Sequence, residues 1–253
     1  MPVALNHEQG GPHTGQVLLL IHPMGADLSF WNACRAIWQM QYRCIAVDLR
    51  NAGASPRSAS PLSIEEQAAD IEAFRREQAI DRLVVVGCAV GAMIASAYAG
   101  MFADRCEALV LSNPGFRTLP EARSMLAQRA ADVRRGGMAA VLAGVVDSTF
   151  LDCPKDERRE DFLERFASQD PFAYALQIEG MLTADTSSHL PRIICPTLIV
   201  AGGNDRLLPP DHARQIHEVL PRSEYVLMKE GAHFIPYQCP DEFAGLVTRF
   251  LNG

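Results

Sequence analysis

The chain has 253 residues, 48% of them hydrophobic, which is enough to bury one large core and favours a single domain with an insertion over two independent domains. A net charge of −7 and a pI near 5.5 leave no basic patch, which argues against nucleic acid as a partner and leaves a small molecule. The seven cysteines, at 34, 44, 88, 106, 153, 195 and 239, are scattered with no C-x-x-C pair. They read as reduced thiols, and neither a metal site nor a cofactor is indicated.

The opening stretch, MPVALNHEQGGPHTG, lacks the basic start and apolar centre of a signal peptide, so a cytoplasmic location is expected. Leu83 to Ala103, LVVVGCAVGAMIASAYAGMFA, is uncharged and long enough to span a bilayer. Its Gly, Ala and Ser content, its strand-like opening and the absence of a basic flank favour a buried strand and helix, with no membrane association.

In chain order, residues 3 to 8 read as a short edge strand. Gln16 to His22, QVLLLIH, is the first core strand and runs into Pro23-Met24-Gly25-Ala26-Asp27. Ser29 suits the N-cap of a helix that carries Phe30, Trp31, Cys34 and Ile37-Trp38 at 3–4 spacing. Arg43 to Asp48 is the next strand, and Ser63 with Glu66 forms a capping box for a helix to about Gln78. Leu83 to Val86 is an uninterrupted β-branched run, as in a parallel strand covered on both faces. Gly87-Cys88-Ala89-Val90-Gly91 follows, and helical spacing begins at Met93, Ile94 and Ala97: a strand, a sharp turn and a helix.

Ala108 to Ser112 is a further strand, ending in Asn113-Pro114-Gly115. Residues 115 to about 190 break the alternation; they are helical and charged, with RRGG at 134–137 as a turn and CPKDERRED at 153–161 as an exposed face. Alternation returns at Pro196 to Gly202, which opens into Gly203-Asn204-Asp205; Pro209-Pro210 then start a helix to about Leu220. Glu224 to Lys229 is the last strand, followed by Glu230-Gly231-Ala232-His233-Phe234 and a closing helix from Pro240 to Leu251. The loops at the C-terminal ends of these strands are where open α/β sheets place ligand sites.

The turn at 87–91 resembles the nucleophile elbow, G-x-S-x-G, of the α/β-hydrolase family, with alanine at the nucleophile position. Cys88 is a poor substitute, because centring the turn on it puts Val86 and Val90 where small residues must stand. HPMGADLSFW at 22–31, DLRNAGAS at 48–55, GCAVGAMIA at 87–95 and AHFIPYQCPDEF at 232–243 are similar to the small ester and lactone hydrolases of the 3-oxoadipate enol-lactonase type. The resemblance implies an α/β-hydrolase fold: a mostly parallel, doubly wound sheet, here one strand short of the usual eight. Its core is residues 1–114 and 191–253, with a helical cap at 115–190.

By matching position, Asp205 in G-x-x-D-x-x-x-P is the triad acid, His233 the base, and Ala89 occupies the nucleophile seat. Met24 and Val90 supply the two oxyanion N–H groups, Pro23 having none to give. Asp48 and Arg50 are structural in this family, and His22 orients its loop. The remaining histidines, among them His189 and His212, read as surface residues. Phe30, Trp31, Phe116, Phe172 and Phe234 are the candidate substrate contacts. Met125, Phe150, Phe166, Tyr174 and Met181 are further candidates for the underside of the cap. Arg117, Arg123, Arg129, Arg134 and Arg135 are candidates to hold a substrate carboxylate, though most read as solvated.

The implied activity is hydrolysis of a small carboxylic ester or enol-lactone by a Ser-His-Asp mechanism, as a monomer or homodimer. Alanine at 89 leaves three readings open. The chain is an inactivated Ser→Ala form; or it natively lacks serine and uses His233 and Asp205 on water or a carbon acid; or it is a binding protein that kept the pocket and lost the chemistry.

Overall fold

The computed structural model describes residues 3–150 and 155–253. Among the described residues seven strands form one sheet: β1 (His7–Gly10), β2 (Val17–Ile21), β3 (Arg43–Val47), β4 (Leu83–Cys88), β5 (Cys106–Ser112), β6 (Thr197–Gly202) and β7 (Ser223–Met228). Their spatial order is β1-β3-β2-β4-β5-β6-β7. β1 is antiparallel to β3, and the other pairings are parallel. The ladder of β1 starts at His7, later than residue 3, because the preceding residues are held by the loop after β3: the Asn6 N–H donates to Ser55 Oγ at 2.8 Å and its side chain to Asp48 at 2.7 Å.

Among the described residues ten α-helices connect and flank the strands: α1 (Asn32–Trp38), α2 (Ile64–Glu77), α3 (Val90–Met101), α4 (Pro120–Gly136), α5 (Leu142–Thr149), α6 (Glu157–Ala167), α7 (Pro171–Met181), α8 (Pro210–Val219), α9 (Ile235–Gln238) and α10 (Pro240–Asn252). The capping box forms, with Ser63 Oγ accepting from the Glu66 N–H at 3.1 Å and Glu66 accepting from the Ser63 N–H at 2.8 Å. Ser29 is not a cap. Asp27 accepts from the Ser29 N–H at 2.9 Å and opens a 3-10 turn over Leu28–Trp31, while Asp48 takes the Leu28 N–H at 2.7 Å, so α1 begins only at Asn32. Gly137, at φ 67°, ends α4 where the paired glycines indicate a turn.

β2 and β4 are buried at every position because helices cover both faces of the sheet, which is why their sequences show no polar alternation. Alternate residues feed opposite cores. Leu18, Leu20, Val84 and Val86 meet Trp31, Trp38 and Phe243, whereas Leu19, Ile21 and Val85 meet Phe74 and Tyr98. α3, in the uncharged stretch, spans only Val90–Met101, and no helix among the described residues is long and apolar enough to cross a membrane. Five cysteines are buried and Cys239 half-buried, with no disulfide among the described residues; Cys153 lies outside them.

α4 to α7 all fall between β5 and β6. The C-terminal ends of β2, β4, β5 and β6 therefore open toward this helical insertion, and the candidate site lies between them.

Candidate active site

The turn from β4 into α3 sets the geometry. Ala89 sits at φ 51° and ψ −112°, a conformation that L-residues avoid at a cost of about 1–3 kcal/mol. Close packing holds it there. A Cβ on Gly87 would lie 2.2 Å from the Gly91 carbonyl oxygen, and one on Gly91 would lie 2.3 Å from that of Ile21. Neither position accepts a larger residue, and the Ala89 N–H is fastened to the Ser112 carbonyl at 3.0 Å. Cys88 is fully buried, and burial pushes its thiol well above the ordinary range, so it remains protonated and out of reach.

Asp205 and His233 come from loops after β6 and β7 and meet beneath this turn. The His233 Nδ1 lies 2.9 Å from Asp205 Oδ2 and 3.1 Å from Oδ1. The carboxylate also accepts the Leu207 and Leu208 N–H groups at 2.9 Å each and the Asn113 amide at 2.9 Å. Burial alone would raise its pKa. The His233 charge and hydrogen bond, with the Leu208 and Asn113 donors, outweigh that and hold the carboxyl below the usual range. An ionised Asp205 fixes the proton on His233 Nδ1 and leaves Nε2, which makes no protein hydrogen bond among the described residues, free to accept.

Asn113 offers no catalytic signature in the sequence. Held at φ 48°, it turns its amide to donate both to Asp205 and, at 2.9 Å, to the Ala232 carbonyl, so it joins the acid loop to the histidine loop. The loop after β2 is fixed from the insertion. Gln177 accepts from the Gly25 N–H at 3.2 Å and donates to the Asn51 carbonyl at 2.6 Å, while Gln169 donates to the Gly25 carbonyl. Met24, next to Gly25, shares a cavity wall with Val90, Ala89 and His233. Neither the Met24 nor the Val90 N–H donates to a protein group among the described residues. His22 is buried beside them; its Nε2 accepts from the Leu49 N–H at 3.0 Å and its Nδ1 donates to the Pro23 carbonyl at 2.8 Å.

The cavity holds about 970 Å³ including its open mouth and is mostly apolar. Phe234, Met125, Tyr174 and Met181 line it. The other candidate aromatic contacts lie elsewhere. Phe30 and Trp31 are core residues, packed edge to face on each other and against Phe234 and Phe243, because the 3-10 turn directs them inward. Phe116 packs on the opposite core beneath Arg117, and Phe172 is 59% exposed on α7. Phe150 and Phe166 pack against Phe162.

Of the arginines, Arg117 and Arg129 line the cavity, while Arg134 pairs with Glu179 and Arg135 with Asp132. His212, read as a surface residue, instead lines the cavity at the start of α8 with its Nδ1 buried and unpartnered; burial lowers its pKa and keeps the ring neutral. His189 is likewise buried, 3.0 Å from Glu65. No cluster of three or more metal-ligating side chains occurs among the described residues.

A mostly parallel sheet with a sharp β4–α3 turn, and an Asp–His pair carried by the loops after β6 and β7, define an α/β-hydrolase architecture. The alpha/beta hydrolase family model matches residues 18–246, and the chain belongs to this family. RutD of Escherichia coli O7:K1, for which carbamate hydrolysis is proposed, is 28% identical over 244 residues, covering 94% of this chain and 90% of that protein. A thermophilic esterase from Thermogutta terrifontis, solved with malate bound, superposes with a TM-score of 0.90 at 26% identity, covering 99% of this chain and 93% of the other. The enol-lactonase of Burkholderia xenovorans LB400 gives a TM-score of 0.90 at 25% identity, covering 98% of this chain and 96% of the other.

Proposed function

We propose that this protein is an acyl hydrolase of small carboxylic esters or lactones whose covalent chemistry is disarmed by alanine at position 89. Helices α4 to α7 act as its cap. The observation that carries the reading is the His233–Asp205 pair at 2.9 Å, with the imidazole in the same cavity wall as a residue held in the strained elbow conformation. That strain has no use in a plain strand-to-helix turn.

With serine at 89, His233 Nε2 takes the hydroxyl proton as the oxygen attacks the substrate carbonyl. The Met24 and Val90 N–H groups stabilise the tetrahedral oxyanion, and Asp205 stabilises the imidazolium. Collapse of the intermediate expels the leaving group with the proton from His233. A water activated by the same imidazole then releases the acid and restores the serine.

A second reading is favoured by the alanine itself: His233 and Asp205 activate water for direct attack, with no covalent intermediate. Turnover of short-chain esters and lactones by the chain and by its Ala89→Ser variant separates the two. The first reading expects the serine variant to be faster by at least about 10³-fold, as for restoring a nucleophile to an intact dyad. Equal turnover by both supports direct attack. Ligand binding by both with turnover by neither makes this a binding protein.

A further inference from the structure

Two buried cysteines that the candidate site does not use face each other at the other end of the sheet. Cys106 opens β5 and Cys195 stands just before β6; they are 89 positions apart in sequence, yet their sulfurs lie 3.6 Å apart. Cys106 is 1% exposed and Cys195 6%. The sulfurs of Cys34, Cys44 and Cys88 lie instead against backbone carbonyls.

A local irregularity aims Cys106 at its partner. Strict alternation would place it on the face of Ala108 and Val110. Leu83 pairs with Cys106 but Val84 pairs with Ala108, so β5 carries one extra residue, Glu107, at this point. The bulge turns Cys106 to the opposite face, into the core of Leu109 and Leu111, where Cys195 also packs. Without it the two side chains would sit on opposite sides of the sheet. β5 and β6 are neighbours in a parallel ladder, with the Leu109 N–H on the Pro196 carbonyl at 3.0 Å. Adjacent strands run about 4.8 Å apart, inside the Cα separation of about 4.4–6.8 Å that a disulfide spans.

The two thiols are not equivalent. The hydrogen bond with Cys106, helped by the Thr197 hydroxyl and the Arg222 charge, holds the Cys195 thiol below its ordinary value despite burial. The same bond and burial push Cys106 well above it. Cys195 is therefore the sulfur that ionises first, and the thiolate is the form that reacts.

We propose that Cys106 and Cys195 are a peroxide-oxidisable dithiol whose disulfide staples the base of the helical insertion. The Cys195 thiolate attacks one oxygen of hydrogen peroxide, breaks the O–O bond and becomes a sulfenic acid, and the hydroxide released takes up a proton as water. The Cys106 sulfur then attacks Cys195 Sγ, forms the S–S bond and expels hydroxide, which takes the Cys106 proton as a second water. Two thiols are oxidised by two electrons, and one peroxide is reduced to two waters. The loop so closed contains α4 to α7, whereas Asn113 and Asp205 lie past the far ends of β5 and β6. The disulfide constrains the unfolded insertion without touching the dyad, and it forms irrespective of the reaction at position 89.

The test treats the unaltered chain with hydrogen peroxide and maps its peptides by mass spectrometry without reduction. A linked pair holding Cys106 and Cys195, short of two hydrogens and cleaved by dithiothreitol, is expected, with the melting temperature raised by about 5–15 °C. Dithiothreitol should also cancel that rise, which separates it from methionine oxidation, a change that reagent leaves in place. Cys106→Ser should remove the link and the rise and leave Cys195 carrying added oxygen, while Cys195→Ser should leave Cys106 unoxidised under the same treatment. No linked pair, a link between other cysteines in its place, a link that leaves the melting temperature unchanged or lower, or equal oxidation of the remaining thiol in the two variants overturns the assignment.

Discussion

At the scale of single residues, Asp205 is where charge and burial are most finely opposed. Its side chain is fully buried, yet it is ionised, because one imidazole, two backbone amides and the Asn113 amide all converge on it. Its folded-state pKa lies below the ordinary value, so the carboxylate stabilises the fold at neutral pH. That contribution is complete above the unfolded pKa near 4 and is lost as pH falls through the lower folded value. Asp205→Asn is therefore expected to be destabilised by about 1–3 kcal/mol at pH 7, with the gap to the parent narrowing between about pH 4 and the acid limit. Urea unfolding at several pH values measures it; a gap that stays constant down to pH 3 would show that packing, not charge, is what Asp205 supplies.

Asp205 and His233 were legible in the sequence because each stands in a short glycine- or proline-marked loop directly after a strand. Asn113 was not, since its partner is 92 positions away and nothing local distinguishes it from a turn former.

At the scale of elements, the insertion does more than cover the cavity. Gln177 on α7 grips the Gly25 N–H across 152 positions of sequence and ties it to the Asn51 carbonyl, so one side chain sets the backbone next to Met24. Gly25 has little freedom of its own to absorb a change, because at φ 77° it lies against the Phe166 ring, where a Cβ would approach to 2.8 Å. Loss of the glutamine leaves the Gly25 N–H without a partner and lets the Met24 amide drift. On the proposed reading the Met24 N–H is an oxyanion donor, and misplacing it is felt in the transition state more than in the ground state. In the Ala89→Ser protein, Gln177→Ala is accordingly expected to lower kcat by about 10- to 100-fold while KM changes by less than about 3-fold. A rise in KM at constant kcat would mean that Gln177 contacts substrate and does not position the loop. Such cross-element contacts explain why strand ends were readable from apolar runs while the cavity wall was not. Phe172 and Tyr174 are two residues apart on one helix, and only the packing of α7 decides that Tyr174 faces inward.

At the scale of the whole molecule, the position of the histidine depends on distant elements. His233 precedes α9 and α10, and those helices are pinned to the core through α1: Phe243 lies 6.4 Å from Trp31 and 6.1 Å from Trp38, Trp38 Nε1 donates to the Ala244 carbonyl at 3.2 Å, and Cys34 lies against the Pro236 carbonyl. Phe243 is fully buried, and Phe243→Ala removes a ring from the junction of the chain's N- and C-terminal segments at an expected cost of about 3–5 kcal/mol. The only two tryptophans in the sequence sit in this cluster, so their fluorescence reports on it directly. If the sheet and both cores unfold as one unit, tryptophan emission and turnover by the Ala89→Ser protein are lost at the same urea concentration, and Phe243→Ala moves both midpoints down together. Turnover lost well below the fluorescence midpoint would instead mark the loops of Asp205 and His233 as a separate, weaker unit, with α10 holding the core but not the site.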